Sequence, residues 1–99
     1  MTVTGAGGVK IATWRKGRRF HRDYDKLDIG TRDLTDEALQ QLTKEPRPPG
    51  LRFEKLKGHS NPDIYTIHVT GNYKVSMEID SSCAFLRRVA NHDEIDRQP

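Results

Sequence analysis

Two runs of alternating residues separated by a Gly-Asn turn constrain this chain most strongly. In Ile64-Tyr65-Thr66-Ile67-His68-Val69-Thr70, residues Tyr65, Ile67 and Val69 fall on one side and Thr66, His68 and Thr70 on the other. Gly71 and Asn72 supply the turn. The second run, Tyr73-Lys74-Val75-Ser76-Met77-Glu78-Ile79, again alternates, with Tyr73, Val75, Met77 and Ile79 on the apolar side. A period of two over both runs defines an antiparallel hairpin with one buried face. It predicts an opposite, solvent-facing side that gathers Thr66, His68, Lys74 and Ser76. A turn centred on Gly71 sets His68 directly across from Lys74.

The rest of the chain is organised around that hairpin. Met1 to Gly8 is rich in Gly and Thr and reads as a disordered N-terminus, leaving residues 9–99 as a single domain. Val9 to Trp14 alternates well enough for a short strand. Phe20, Tyr24 and Leu27, spaced four then three apart, predict one helical face. Gly30 lies in the expected break, and a second helix follows, with Thr35 as its N-cap and Ala38, Leu39 and Leu42 as its stripe. Pro46, Pro48 and Pro49 end it. Leu51 to Leu56 is an irregular lead-in to the hairpin. Ala84 to Ala90 reads as a third strand with Phe85, Leu86 and Val89 inward, and Asn91 to Asp96 as a closing irregular turn. The predicted fold class is α+β: an N-terminal strand and a helical hairpin packed on a small antiparallel sheet.

Composition narrows the function classes. In 99 residues, 33% are hydrophobic, so the core is small; a domain of this size buries about two thirds of its unfolded surface. Net charge is +3, which permits an anionic partner. The cations cluster as Arg15 to Arg22, as Arg52, Lys55 and Lys57, and as Arg87 with Arg88. Cys83 is the only cysteine, so no internal disulfide forms, as expected in a reducing cytoplasm. No apolar run approaches the roughly 18 residues of a membrane span, and no membrane association is expected. Four histidines and one cysteine lie scattered without zinc spacing, and Gly5-Ala6-Gly7-Gly8 lacks the lysine of a phosphate loop. No metal and no cofactor is expected.

Taken in order, Leu51-Arg52-Phe53-Glu54-Lys55-Leu56-Lys57-Gly58, then Tyr65-Thr66-Ile67-His68-Val69, Tyr73-Lys74-Val75 and Val89-Ala90-Asn91-His92-Asp93-Glu94-Ile95, the chain resembles the RelE/ParE superfamily of type II toxin–antitoxin toxins. The resemblance covers nearly everything after the glycine-rich start. It implies a toxin silenced by a cognate antitoxin, the pair forming a hetero-oligomer on operator DNA. RelE-like members cleave messenger RNA, usually on the ribosome, and thereby inhibit translation; ParE-like members poison DNA gyrase. The YafQ-like branch carries a strand histidine followed four and five residues later by a polar residue and an aromatic, matched here by His68, Asn72 and Tyr73. Its histidine near the C-terminus is matched by His92. Lys74 stands where RelE has an arginine. Two departures are visible: Asp96 occupies the position of a C-terminal tyrosine, and Thr66 and His68 replace paired lysines.

Metal-free RNA cleavage needs a base for the ribose 2′-hydroxyl, an acid for the departing 5′-oxygen and a cation for the phosphate. Histidine suits both proton roles because its ordinary pKa lies near 6.5. His68, Lys74 and His92 are therefore the expected catalytic set. Arg52, Lys55, Lys57, Tyr73 and Arg88 are the expected RNA contacts, with the lysines and arginines on phosphates. Arg87 and Arg88, being adjacent, are expected on opposite faces of their strand. Two further readings stay open: a ParE-like gyrase inhibitor that needs neither acid nor base, and a non-catalytic interaction protein of the same fold.

Overall fold

The computed structural model describes residues 9–99; the disorder expected for Met1 to Gly8 lies outside the described residues. The hairpin forms as its alternation requires. Strands β3 (Tyr65–His68) and β4 (Tyr73–Asp80) pair antiparallel, with His68 opposite Lys74. Thr70 closes the turn, its Oγ accepting from the backbone N–H groups of Asn72 and Tyr73. Strand β5 (Cys83–Asn91) returns along β4, and β1 (Thr13–Lys16) adds to β5 in parallel. The short β2 (Glu54–Lys55) pairs with β3. The sheet is thus five-stranded and mixed, in the order β1-β5-β4-β3-β2. The parallel pairing of the edge strand and β2 were unforeseen, and the N-terminal strand, expected over Val9 to Trp14, instead covers Thr13–Lys16, where Cys83–Leu86 of β5 receives it.

Helices α1 (Arg18–Asp25) and α2 (Ile29–Leu42) cover one face of the sheet. Phe20 is fully buried there with Tyr24 at the margin, as their spacing predicted, whereas Leu27, expected on the same helical face, packs at the margin from beyond the helix, which ends at Asp25 with Lys26 as its C-cap. Ala38, Leu39 and Leu42 meet Ile67, Val75, Met77, Leu86 and Val89 in the core. Trp14 Nε1 donates to the Leu39 carbonyl at 3.0 Å, tying β1 to α2. The helix break falls earlier than expected. Asp28, not Thr35, caps α2, accepting from the Thr31 N–H at 2.7 Å, and Gly30 lies inside the first turn. Thr35 is buried and returns its hydroxyl to the Thr31 carbonyl, a local bond open to a helical threonine.

The opposite face is only partly open. Asn91 caps a short helix α3 (His92–Arg97), where an irregular turn was expected; its side chain accepts from the Glu94 N–H. Ile95 is buried under α3, so the helix is held by an apolar anchor against β4 and β5. The C-terminal residues then lie over the sheet. Thr66 and Ser76, predicted to face solvent, are 1% and 0% exposed. Ser76 Oγ donates to the Pro99 carbonyl. Alternation assigned the face correctly but not its cover.

A β-bulge between Ser76 and Met77 corrects the expectation for the adjacent arginines. Ser76 pairs with Arg88 and Met77 with Leu86, leaving Arg87 as the extra residue. The bulge resets the alternation, so Arg87 and Arg88 both reach the C-terminal segment: Arg87 Nε donates to the Pro99 carbonyl and Arg88 Nη1 to that of Gln98. Phe85, expected in the core, is half-buried on the α3 side of the sheet, while Leu86 and Val89 do face the helices. No helix among the described residues is long and apolar enough to cross a membrane.

Candidate functional site

The site lies where the β3–β4 hairpin meets the start of α3. His68 and Lys74 sit side by side in the ladder, and Ala90 of β5 completes the row. His92 follows immediately as the first residue of α3, its N–H held by the Asn72 carbonyl at 2.9 Å. The ring centroids of His68 and His92 are 4.7 Å apart at an interplanar angle of 76°. That is the edge-to-face arrangement aromatic pairs prefer. His92 Nε2 is buried and makes no hydrogen bond among the described residues. Such orphaned polar atoms are uncommon in native folds, and each calls for an explanation, a catalytic role or a bound water or ion among them.

Electrostatics favour a neutral His68. Its pKa lies below 6.5, first because burial disfavours the charged imidazolium, then because His92, Arg52 and Lys74 present like charge; Glu54 opposes them weakly. Lys74 Nζ is mostly covered, with its side chain 14% exposed, and lies 3.0 Å from Asp96 Oδ1. Asp96 stands four residues after His92 on α3, one turn further along the same helical face. The acid that replaces the tyrosine of the RelE-like pattern thus rests on the cation expected to hold phosphate.

The expected RNA contacts divide. Arg52, in a left-handed backbone conformation at φ 52°, is near enough to His68 to lower its pKa and makes a long 3.9 Å ion pair with Glu54. Lys55 pairs with Asp63 at 3.4 Å. Lys57 is exposed and joins Lys55 and His59 around an open pocket of about 590 Å³. Tyr73 is half-buried and lines a second pocket, of about 510 Å³, with Asn72, His92 and Arg97. Arg88 is drawn into the protein instead. Its guanidinium grips Asp23 of α1 through two bonds of 2.9 and 3.0 Å and Glu94 of α3 through one of 2.8 Å. With Gln98 as a fourth acceptor, little of it remains to offer a phosphate. Asp23 also accepts from the Val89 N–H, finishing the ladder edge that β1 leaves unpaired beyond Leu86. Hydrogen bonding to Asp23 holds the Arg88 charge still more firmly than is usual for arginine. Among the described residues, no group of three or more His, Cys, Asp or Glu residues has the arrangement to hold a metal ion.

Sequence reasoning missed Asp96 as a partner of Lys74, because only the α3 helix brings positions 74 and 96 together. It also missed Asp23, whose charge in a basic helix gave no sign of a bond to β5.

This geometry belongs to a known architecture. No protein-family model matches the chain, and no curated protein sequence matches it. Solved structures do. The toxin–antitoxin complex RelBE2 of Mycobacterium tuberculosis is similar at 22% identity and a TM-score of 0.65, over 83% of this chain and 99% of that one. The RelB–RelE antitoxin–toxin complex of Methanococcus jannaschii is similar at 23% identity and a TM-score of 0.61, over 85% and 98%. The DinJ–YafQ toxin–antitoxin complex of E. coli is similar at 12% identity and a TM-score of 0.64, over 83% and 93%. The chain has the RelE-like toxin fold. The resemblance read from its strand and loop segments therefore holds at the level of architecture.

Proposed function

We propose that the chain is the toxin of a type II toxin–antitoxin pair and a metal-independent endoribonuclease that cuts messenger RNA on the ribosome and so inhibits translation. The observation that carries this reading is the His68–His92 contact at 4.7 Å with Lys74 beside His68 in the ladder. Two imidazoles and an ammonium within one small surface supply a base, an acid and a cation for a single phosphodiester. Neutral His68 takes the proton of the 2′-hydroxyl, and the 2′-oxygen forms a bond to phosphorus. Lys74, released from Asp96 by the incoming phosphate, stabilises the added negative charge. The bond to the 5′-oxygen breaks as His92 delivers a proton to it, leaving a 2′,3′-cyclic phosphate and a free 5′-hydroxyl. No cofactor enters. Arg52, Lys55, Lys57 and Tyr73 flank this centre as contacts to the strand.

The solved relatives are complexes of toxin with antitoxin. By that analogy the partner is a cognate antitoxin, and the pair assembles on operator DNA. Cytoplasmic action follows from a ribosomal target.

A second reading has one observation in its favour. Asp96 stands in place of the tyrosine and neutralises Lys74, as suits a gyrase poison of the same fold that performs no acid–base chemistry. Induction in cells separates the two. Cleavage of messenger RNA mapped by primer extension, insensitive to chelators and abolished in folded His68→Ala and Lys74→Ala variants, is the expected result. Intact messenger RNA with stalled gyrase and a DNA-damage response establishes the second reading instead.

A further inference from the structure

The sheet face that carries His68 and Lys74 continues past the C-terminal segment toward β1, where Glu78 pairs with Phe85 and Phe85 with Arg15. Two open pockets lie along it. One, of about 540 Å³, is lined by Arg19, His59, Arg87 and Arg97. The other, of about 270 Å³, is lined by Gly17, Arg18, Arg19, Phe85 and Arg87. Because Arg19 and Arg87 wall both, the two form one groove. No Asp or Glu lines either pocket. Arg87 is paired with Glu78, but Arg18, Arg19 and Arg97 enter no ion pair among the described residues and are exposed. Exposed guanidinium groups without ion-pair partners, here Arg18, Arg19 and Arg97, repel one another until an anion arrives, and guanidinium suits phosphate oxygens in particular.

The groove joins the candidate site. Arg97 also lines the pocket that contains His92 and Tyr73. His59 Nε2 lies 3.0 Å from the Asp96 backbone oxygen, and the Asp96 carboxylate rests on Lys74. The groove also carries an aromatic ring: Phe85, with the Arg15 guanidinium 5.2 Å from its centroid. A basic track that runs past an aromatic ring is the form single-stranded nucleic acid binding takes, phosphates on the cations and bases against the ring.

We propose that the groove lined by Arg18, Arg19 and Arg97 beside Phe85 binds the backbone phosphates of single-stranded RNA at nucleotides away from the scissile bond. The proposal rests on the nuclease reading above and extends it to the path of the strand. It makes the enzyme a reader of strand length and leaves chemistry to His68, Lys74 and His92.

The test compares a fluorescent RNA dodecamer with a trinucleotide that spans only the cut. Affinity is measured by anisotropy over a salt series, and cleavage is followed on the free dodecamer and on ribosomes programmed with it. The Arg18→Ala/Arg19→Ala double variant, whose residues line the groove away from the pocket of His92 and Tyr73, is expected to bind the dodecamer more weakly. Its slope of log affinity against log salt should fall by about 1.4, two phosphate contacts at about 0.7 each. Trinucleotide affinity and the single-turnover rate at saturating dodecamer should stay at the wild-type level. The Arg18→Lys/Arg19→Lys variant, which keeps both charges, should retain the slope, separating loss of charge from loss of fold. An unchanged dodecamer slope in the alanine variant, or an equal loss for the trinucleotide, overturns the proposal even where wild-type protein cuts RNA. Arginine-dependent dodecamer binding without cleavage in either setting upholds the groove and removes the nuclease reading alone.

Discussion

The ammonium of Lys74 lies 3.0 Å from the carboxylate of Asp96, so the cation beside His68 is already occupied by an internal anion. The two residues are 22 positions apart, and α3 alone brings them together. On the nuclease reading proposed above, an incoming phosphate must displace Asp96 before it gains Lys74. The first turn of α3 therefore supplies an acid candidate in His92, and its last turn a competitor for the substrate.

Removing that competitor should improve substrate binding. Asp96 is half exposed, and a pair of this kind is worth about 0.2–1 kcal/mol. Asp96→Asn is thus expected to lower KM for RNA by about one and a half- to fivefold, since 1.4 kcal/mol is tenfold, with kcat little changed. Steady-state cleavage of one oligonucleotide by both proteins measures it. A KM that rises in the asparagine variant would show that Asp96 positions Lys74 rather than blocks it.

The depressed pKa of His68 makes a pH prediction for activity. Burial, then the charges of His92, Arg52 and Lys74, disfavours the imidazolium and lowers the pKa from its ordinary value, with Glu54 opposing them. A base must be unprotonated, so the acid limb of kcat/KM should fall below the ordinary histidine range. His68→Ala should abolish that limb together with most of the rate.

The same shift makes a prediction for stability. The unfolded chain binds a proton at His68 near 6.5, and the folded chain resists it. The folded state is therefore unpenalised above 6.5 and loses stability as pH falls from there to the lower folded value. In urea titrations, wild type should lose stability relative to His68→Gln as the pH is lowered through that window, because the glutamine variant lacks this penalty. Parallel curves would deny the shift.

Arg88 should prove a folding residue. It and Asp23 are each 10% exposed in their side chains, and together they tie α1 to the free edge of β5. Truncating one partner of such a pair strands the other's charge, at about 3–5 kcal/mol. Arg88→Ala should lower the urea midpoint accordingly. Asp23→Asn should lower it too, and adding it to Arg88→Ala should cost far less than the sum.

Gly17 is held by a close approach. A Cβ there would lie 2.7 Å from Phe85 Cζ and 2.8 Å from the Leu86 carbonyl oxygen. The ring can turn aside, but the carbonyl belongs to β5, and Gly17 donates its own N–H to it at 2.9 Å. Gly17→Ala should therefore cost about 1–3 kcal/mol, the range for overpacking. Thermal unfolding at constant pH checks it.

Period-two alternation by itself determined the β3–β4 hairpin, the face on which His68 and Lys74 lie and their opposition across the ladder. The four-residue spacing of Phe20 and Tyr24 likewise determined the buried side of α1, though not that the helix stops before Leu27. These are local properties: neighbours along the chain set them, and a one-residue error would turn every side chain over. Only the tertiary structure decided that β1 joins β5 in parallel, that a bulge sends Arg87 and Arg88 to the same segment, that the C-terminus reaches Ser76, and that Asp96 reaches Lys74. Each depends on a contact between residues far apart in the chain, whose energy comes from shared burial or paired charge, and no local pattern records which distant partner supplies it.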